Sequence, residues 1–233
     1  MNTFCSFRVR SFSSISFDFH SMVSGERKQA CIKRLEKIKP LLPVQGELLK
    51  TSAVLIPIVN IENEPALLYT KRSKFLSSHR GQVSFPGGNS DKTDTSPVDT
   101  ALRECWEEIG IPREQVDVWG TLPSLSSTHR GDHATVPVIG IIHDFHPEQL
   151  NINHDEVEEV FCVKFSKLSD PAVYGYTQFR LEGGPGYSLP LYNCTPHPVW
   201  GLTAIMTFQF LRSILPSQHY KHRIHFQSNI KKL

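Results

Sequence analysis

The chain has 233 residues and a net charge of +2, with 39% hydrophobic and 21% charged residues. Those proportions describe one globular domain of ordinary size with extensions, large enough for a proper core, and they exclude a disordered polyelectrolyte. The small net charge gives no footprint of a general nucleic-acid binder, the five cysteines lack the paired spacing of a disulfide framework or zinc site, and no apolar run is long enough to span a membrane.

Residues 1–25 are rich in Ser and Phe, carry Arg8 and Arg10, and contain a single acid, Asp18. This composition resembles a mitochondrial transit peptide and predicts a mature chain starting near residues 22 to 26; a plain disordered tail is the alternative. Lys231, Lys232 and Leu233 resemble a peroxisomal address with Lys in the small-residue position, so peroxisomal and cytosolic locations stand as alternatives. The segment 26–44 opens with Ala30, Cys31, Ile32, Leu35 and Ile38 spaced among basic residues, an amphipathic helix closed by Pro40. The apolar runs Ser52 to Asn60 and Glu64 to Ser73 flank a polar turn at Glu62 and Asn63 and predict a hairpin. The second run ends in Lys71, Arg72 and Lys74, followed by His79 and Arg80. A guanidinium such as that of Arg72 grips phosphate through two parallel hydrogen bonds, and the neighbouring bases add positive field. The plainer alternative, favoured for Lys74, is solvated surface charge.

The stretch Pro86 to Ile111, PGGNSDKTDTSPVDTALRECWEEIGI, organises the rest. Its glycine-rich loop leads into a helix with Ser96 as N-cap, Pro97 in the first turn, Asp99 in capping-box position, and Gly110 as the stop. Ala101, Leu102, Cys105 and Ile109 can face a core, while Glu104, Glu107 and Glu108 share another face at i, i+3 and i+4. Three carboxylates so placed repel one another. Either they form a solvated acidic face, or they hold a hard divalent cation such as Mg2+. Arg103 lies four residues before Glu107 and can orient the carboxylates.

Downstream, Val116 to Leu122, Thr135 to Ile142, Glu159 to Phe165 and Ser188 to Asn193 predict further strands, and His197 to Leu215 a closing helix. The loop from Ser124 to Ala134 can reach the acidic helix. Asp155, Glu156, Glu158 and Glu159 form an acidic entry to one strand. The tail 216–233 holds three of the eleven histidines without metal-ligand spacing and is assigned no role. Strands alternating with helices indicate an α/β layered domain.

The stretch RECWEEIGI behind a PGG loop resembles the signature of the Nudix hydrolases, G-x5-E-x7-R-E-U-x-E-E-x-G-U, where U is bulky and apolar. From Gly88 the seventh position is Asp94 rather than Glu, and eight residues instead of seven separate it from Arg103. A lengthened loop of this kind is similar to the coenzyme A diphosphatase branch. That branch carries an upstream motif, L-L-T-x-R-S-x3-R-x3-G-x3-F-P-G-G, matched here from Leu67 to Gly88 at Thr70, Arg72, Ser73, Gly81, Phe85, Pro86, Gly87 and Gly88, with Ser77 in place of the second Arg. The resemblance implies an α/β/α sandwich with a mixed central sheet over about residues 45–215. It also implies hydrolysis of the diphosphate of coenzyme A and its thioesters with Mg2+ or Mn2+. Glu104, Glu107 and Glu108 would hold the metal, joined by the Gly88 carbonyl, and Arg103 would orient them. The general base is left between a signature glutamate, Glu107, and the loop acid Glu156. Arg72, Lys71 and Arg80, the last standing in for the missing motif arginine, would bind substrate, including its 3′-phosphate. Two rivals remain: a Nudix enzyme for another nucleoside diphosphate derivative such as NADH or ADP-ribose, and a non-catalytic binding module. Monomer and homodimer are both left open.

Overall fold

The structure is a computed structural model and describes residues 18–39, 50–126, 133–179 and 187–224. Residues 1–17 and 225–233, which bear most of the expected targeting signals, lie outside it, as do 127–132 of the Ser124–Ala134 loop.

Two helices come first, α1 (Phe19–Val23) and α2 (Gly25–Leu35). Strands β1 (Lys50–Ile61) and β2 (Glu64–Arg72) form the expected hairpin, with Ile58 opposite Leu67. Both residues of the connecting turn, Glu62 and Asn63, have positive φ (54° and 63°). That backbone twists in the sense of the flanking strands. After a loop the chain returns as β3 (Val83–Ser84) against β2 and β4 (Gly87–Asn89) against β1. Helix α3 (Pro97–Ile109) and strands β5 (Val116–Thr121), β6 (Leu125–Ser126), β7 (His133–Ile142) and β8 (Val157–Lys164) follow. A short α4 (Phe165–Leu168), the hairpin β9 (Tyr174–Phe179) and β10 (Tyr187–Tyr192), and α5 (Gly201–Ile214) complete the fold. Strand β9 had no clear signal in sequence, because its Gly and Gln interrupt any apolar alternation.

The main sheet runs β3-β2-β1-β7-β5, with β8 on β2, β4 on β1 and β6 on β7. Strands β1 and β7 are parallel from Lys50–His133 to Ile58–Ile141, whereas the other pairs are antiparallel. The sheet is therefore mixed. The uninterrupted apolar runs in β1 and β2 reflect burial on both faces. Ala53, Leu55 and Val59 join Ala101, Leu102, Cys105 and Ile109 of α3 in one core. Ile56 and Ile58, out of phase with them, join Ile205, Phe208 and Leu211 of α5 and Cys31 and Leu35 of α2 in the other. Three layers, α/β/α, result.

The packed body is longer at both ends than the span 45–215. Phe19 is buried in the α5-side core and its N–H donates to Asn63 O at 3.0 Å. A chain cut at residues 22 to 26 would lose that contact, so Phe19–Val23 behaves as part of the body rather than as a tail. At the other end Tyr220 and His222 are buried, His222 stacks on Tyr174 with centroids 4.3 Å apart, and the Tyr192 and Tyr220 hydroxyls hydrogen-bond.

Candidate active site

Helix α3 presents the carboxylates because both its ends are fixed. Ser96 Oγ accepts from Asp99 N at 3.2 Å, Pro97 occupies the first turn, and Gly110 closes the helix at φ 76°, where a side chain would be strained. Its last carbonyls have partners in a different segment: Asn153 N donates to Glu108 O at 2.9 Å and Asn151 N to Ile109 O at 3.2 Å. This latch draws the Asn151–Glu156 loop onto the helix. Ser73 N, just past β2, donates to Glu156 O at 2.8 Å and pins the loop from the other side.

The consequence is a carboxylate cluster. Oxygens of Glu104, Glu108 and Glu156 lie within 4.8 Å of one another, one from each residue. Glu107, expected among the metal ligands, is not in this group. Along a helix it lies about 60° from Glu104 on the side away from Glu108, and Arg103 Nη1 binds its Oε2 at 2.8 Å; its side chain is 48% exposed. Glu156 fills the third place.

Glu108 is 1% exposed, accepts from Gly87 N at 3.3 Å, and lies 3.8 Å from Arg72 Nη1. Burial pushes its carboxyl up to about 8, opposed by Arg72 and reinforced by the charge of Glu104. Burial also raises Glu104, against the lowering pull of Arg103. One buried and two half-buried carboxylates so close together could hold a cation, and an all-oxygen donor set suits a hard divalent ion such as Mg2+ or Mn2+ over softer metals.

Arg103 organises the rim. It donates from Nε and Nη2 to the two oxygens of Asp94, each at 3.0 Å, from Nη1 to Glu104 at 2.9 Å, and from Nη2 to Asn89 O at 3.0 Å. Asp94, the shorter acid of the lengthened loop, also accepts from Thr100 Oγ1 and Asp91 N. The Arg103 hydrogen bonds, with those from Asp91 and Thr100, hold its carboxyl well below the usual range. The extra loop residue and the shorter acid thus still deliver a bidentate carboxylate to Arg103.

Gly88, opposite Ala53 in β1, abuts Glu104: a Cβ there would stand 2.4 Å from Oε2. Gly88→Ala is therefore expected to displace Glu104 and to weaken metal affinity about 10- to 100-fold, read by titrating Mn2+ against thermal stability. An unchanged Mn2+ midpoint would remove Gly88 from the site.

The three basic residues separate. Arg72 reaches the cluster. Lys71 does not, being paired with Glu158 at 2.9 Å. Arg80 lies exposed in the loop before β3, its Nε donating to Leu76 O. The latch residues Asn151 and Asn153 went unread in sequence, because the latch uses main-chain N–H groups that any residue but Pro supplies; the Asn153 side chain also accepts from Asp155 N and donates from Nδ2 to Glu156 Oε1 at 3.3 Å.

A carboxylate cluster with Glu108 buried and Glu104 and Glu156 half-buried, gathered from a capped helix and a loop beside a glycine strand on a mixed sheet, has the make-up that hydrolases of phosphate anhydrides use to hold a divalent metal. A family profile described as the NUDIX domain matches residues 49–179, and the chain belongs to the Nudix hydrolase family. Among its relatives, the human "Mitochondrial coenzyme A diphosphatase NUDT8" is 39% identical over 75% of this chain and 73% of that protein. "Nudix hydrolase 3" of Caenorhabditis elegans is 35% identical, covering 84% and 88%. "Uncharacterized Nudix hydrolase NudL" of Pectobacterium atrosepticum is 48% identical, covering 75% and 86%.

Proposed function

We propose that this Nudix hydrolase cleaves the diphosphate of coenzyme A and acyl-coenzyme A, giving 3′,5′-ADP and 4′-phosphopantetheine or its acyl form. The observation that carries this reading is that the upstream motif and the signature helix form one site. The motif residues Arg72, Gly87 and Gly88 meet Glu104 and Glu108 through β2 and β4. The name of the human relative supports the same substrate, and with it a mitochondrial location.

Glu104, Glu108 and Glu156, with the Gly88 carbonyl, would hold Mg2+ or Mn2+, which neutralises diphosphate charge and acidifies water. Arg103 acts as a positioning residue, keeping Glu104 and Glu107 fixed. A carboxylate, Glu156 or the exposed Glu107, accepts the proton from the attacking water. The positive groups Lys71, Lys74 and Arg80 lie toward the β2–β3 loop, where the additional 3′-phosphate of coenzyme A would find favourable field.

Coenzyme A, dephospho-coenzyme A, NADH and ADP-ribose are to be compared with Mn2+ or Mg2+ and with EDTA, with products separated by chromatography. Metal-dependent release of 3′,5′-ADP, with coenzyme A preferred over dephospho-coenzyme A, is expected. Turnover of NADH or ADP-ribose with coenzyme A left intact would overturn the assignment.

A further inference from the structure

We propose that Arg72 is a catalytic residue that grips the scissile diphosphate, and is not the reader of the 3′-phosphate. The identity of the substrate rests on the coenzyme A reading; the role of Arg72 at a diphosphate does not.

The ladder between β2 and β8 is irregular where the motif ends. Lys71 pairs with Glu159, but Arg72 pairs with Val157, so Glu158 is skipped. A bulge bends a strand and re-aims its side chains. The bulged residue, Glu158, lies on β8; the two adjacent bases of β2 leave on opposite faces by ordinary strand alternation, Arg72 in phase with Ala66 and Leu68 on the α3 side. Lys71 binds the skipped Glu158, whereas Arg72 turns to the carboxylate cluster, 3.8 Å from Glu108. The backbone of Arg72 is clamped in that position: its N–H donates to Gln82 O at 3.0 Å, its carbonyl accepts from Gly81 N at 3.0 Å, and the next residue binds Glu156 O.

The guanidinium itself is unsatisfied. Its contact with Glu108 is too long for a hydrogen bond, its Nε is enclosed without a partner, and its side chain is only 23% exposed. It makes no hydrogen bond to a described residue. An enclosed Nε without a partner, in a guanidinium set beside the buried Glu108 carboxylate, is costly unless a ligand engages that group. The ligand that fits is an anion rich in oxygens placed against the same carboxylates, which is the diphosphate. In coenzyme A a ribose separates the 3′-phosphate from that diphosphate, so a guanidinium at Glu108 does not serve both.

In the reaction the water oxygen forms a bond to one phosphorus as the bond from that phosphorus to the bridging oxygen breaks. The bond's electron pair departs on the bridging oxygen, which becomes part of the second monophosphate. One water proton passes to a cluster carboxylate. Arg72 keeps its protons and donates hydrogen bonds to the phosphoryl oxygens as their charge grows.

The test compares Arg72→Gln and Arg72→Lys with the unaltered protein on coenzyme A and on dephospho-coenzyme A, with thermal melts and with binding of 3′,5′-ADP against 5′-AMP. The expected result for Arg72→Gln is a fall in kcat on the order of 10²-fold, equal for both substrates. The preference for coenzyme A and for 3′,5′-ADP stays unchanged, and Arg72→Lys recovers part of kcat. Should Arg72→Gln melt early, Arg72→Lys alone carries the comparison, with an equal, smaller loss on both substrates expected. Collapse of the preference with kcat on dephospho-coenzyme A intact would overturn the inference and return Arg72 to the 3′-phosphate. Unaltered kinetics would overturn it as well. If the unaltered protein leaves coenzyme A intact, the substrate reading falls, and the kcat of the Arg72 variants on whichever diphosphate is cleaved decides the inference.

Discussion

Glu108→Gln is expected to lower kcat on the order of 10³-fold while the folded chain keeps or gains thermal stability. The loss follows because one buried charge disappears from the carboxylate cluster proposed to hold the metal, and a bound cation contributes several kcal/mol of stabilisation to the developing phosphoryl charge. The gain follows from the same burial. Glu108 is 1% exposed and close to Glu104 and Glu156, and among the described residues its carboxylate accepts a hydrogen bond only from Gly87 N, at 3.3 Å. A neutral amide of the same shape removes the repulsion and the cost of desolvating a charge. A pH signature accompanies it. The Glu108 carboxyl is raised from 4.5 to about 8 in the folded chain. Without metal, the folded state therefore holds a proton that the unfolded chain has released, and stability falls as pH rises through that window. Melts in EDTA across it should show the decline in the unaltered protein and a flatter profile in Glu108→Gln. Saturating Mn2+ should reverse the trend, since metal and proton compete for the same oxygens. Near-normal turnover in Glu108→Gln would remove the residue from the metal site.

For Glu156→Gln, a kcat loss on the order of 10³-fold is expected, and its form separates two roles. If Glu156 mainly holds the cation, the Mn2+ concentration giving half-maximal activity rises and excess metal restores part of the rate. If it mainly takes the proton from water, metal affinity changes little and the acid limb of the kcat/KM profile is lost. The cluster of Glu156 with Glu104 and Glu108, and the ion pair of Glu107 with Arg103, lead us to expect the first pattern. Glu107→Gln then serves as the comparison: its side chain is about half exposed and bound to Arg103, so a smaller loss is expected. Full activity in Glu156→Gln would detach the loop acid from the chemistry.

The acidic helix was legible in sequence because its information is local. Ser96, Pro97 and Gly110 mark its ends by backbone chemistry that operates within one turn, and the apolar residues from Ala101 to Ile109 mark its buried face. The hairpin was legible for the same reason, since two apolar runs joined by Glu62 and Asn63 leave few alternatives. The mixed sheet and the diphosphate reading came from resemblance across Leu67 to Ile111 and not from periodicity, which cannot say that β1 lies parallel to β7.

Tertiary structure decided which carboxylates meet. Helical spacing placed Glu107 with Glu104 and Glu108, but spacing does not register the competing pull of Arg103, nor a loop some fifty residues away in the chain. Asn151 and Asn153 bring that loop to the helix end through main-chain hydrogen bonds that leave no side-chain pattern. The β8 bulge that leaves Glu158 unpaired beside Lys71, and the packing of α3 that sets Glu108 beside Arg72, are likewise invisible in a run of adjacent bases. By itself, then, the sequence determined the signature helix, its caps, the strand pair and the identity of the acids. Which acids share a site, and which base faces them, was settled by long-range backbone pairing, because only contacts between distant segments set the angle at which each side chain leaves the fold.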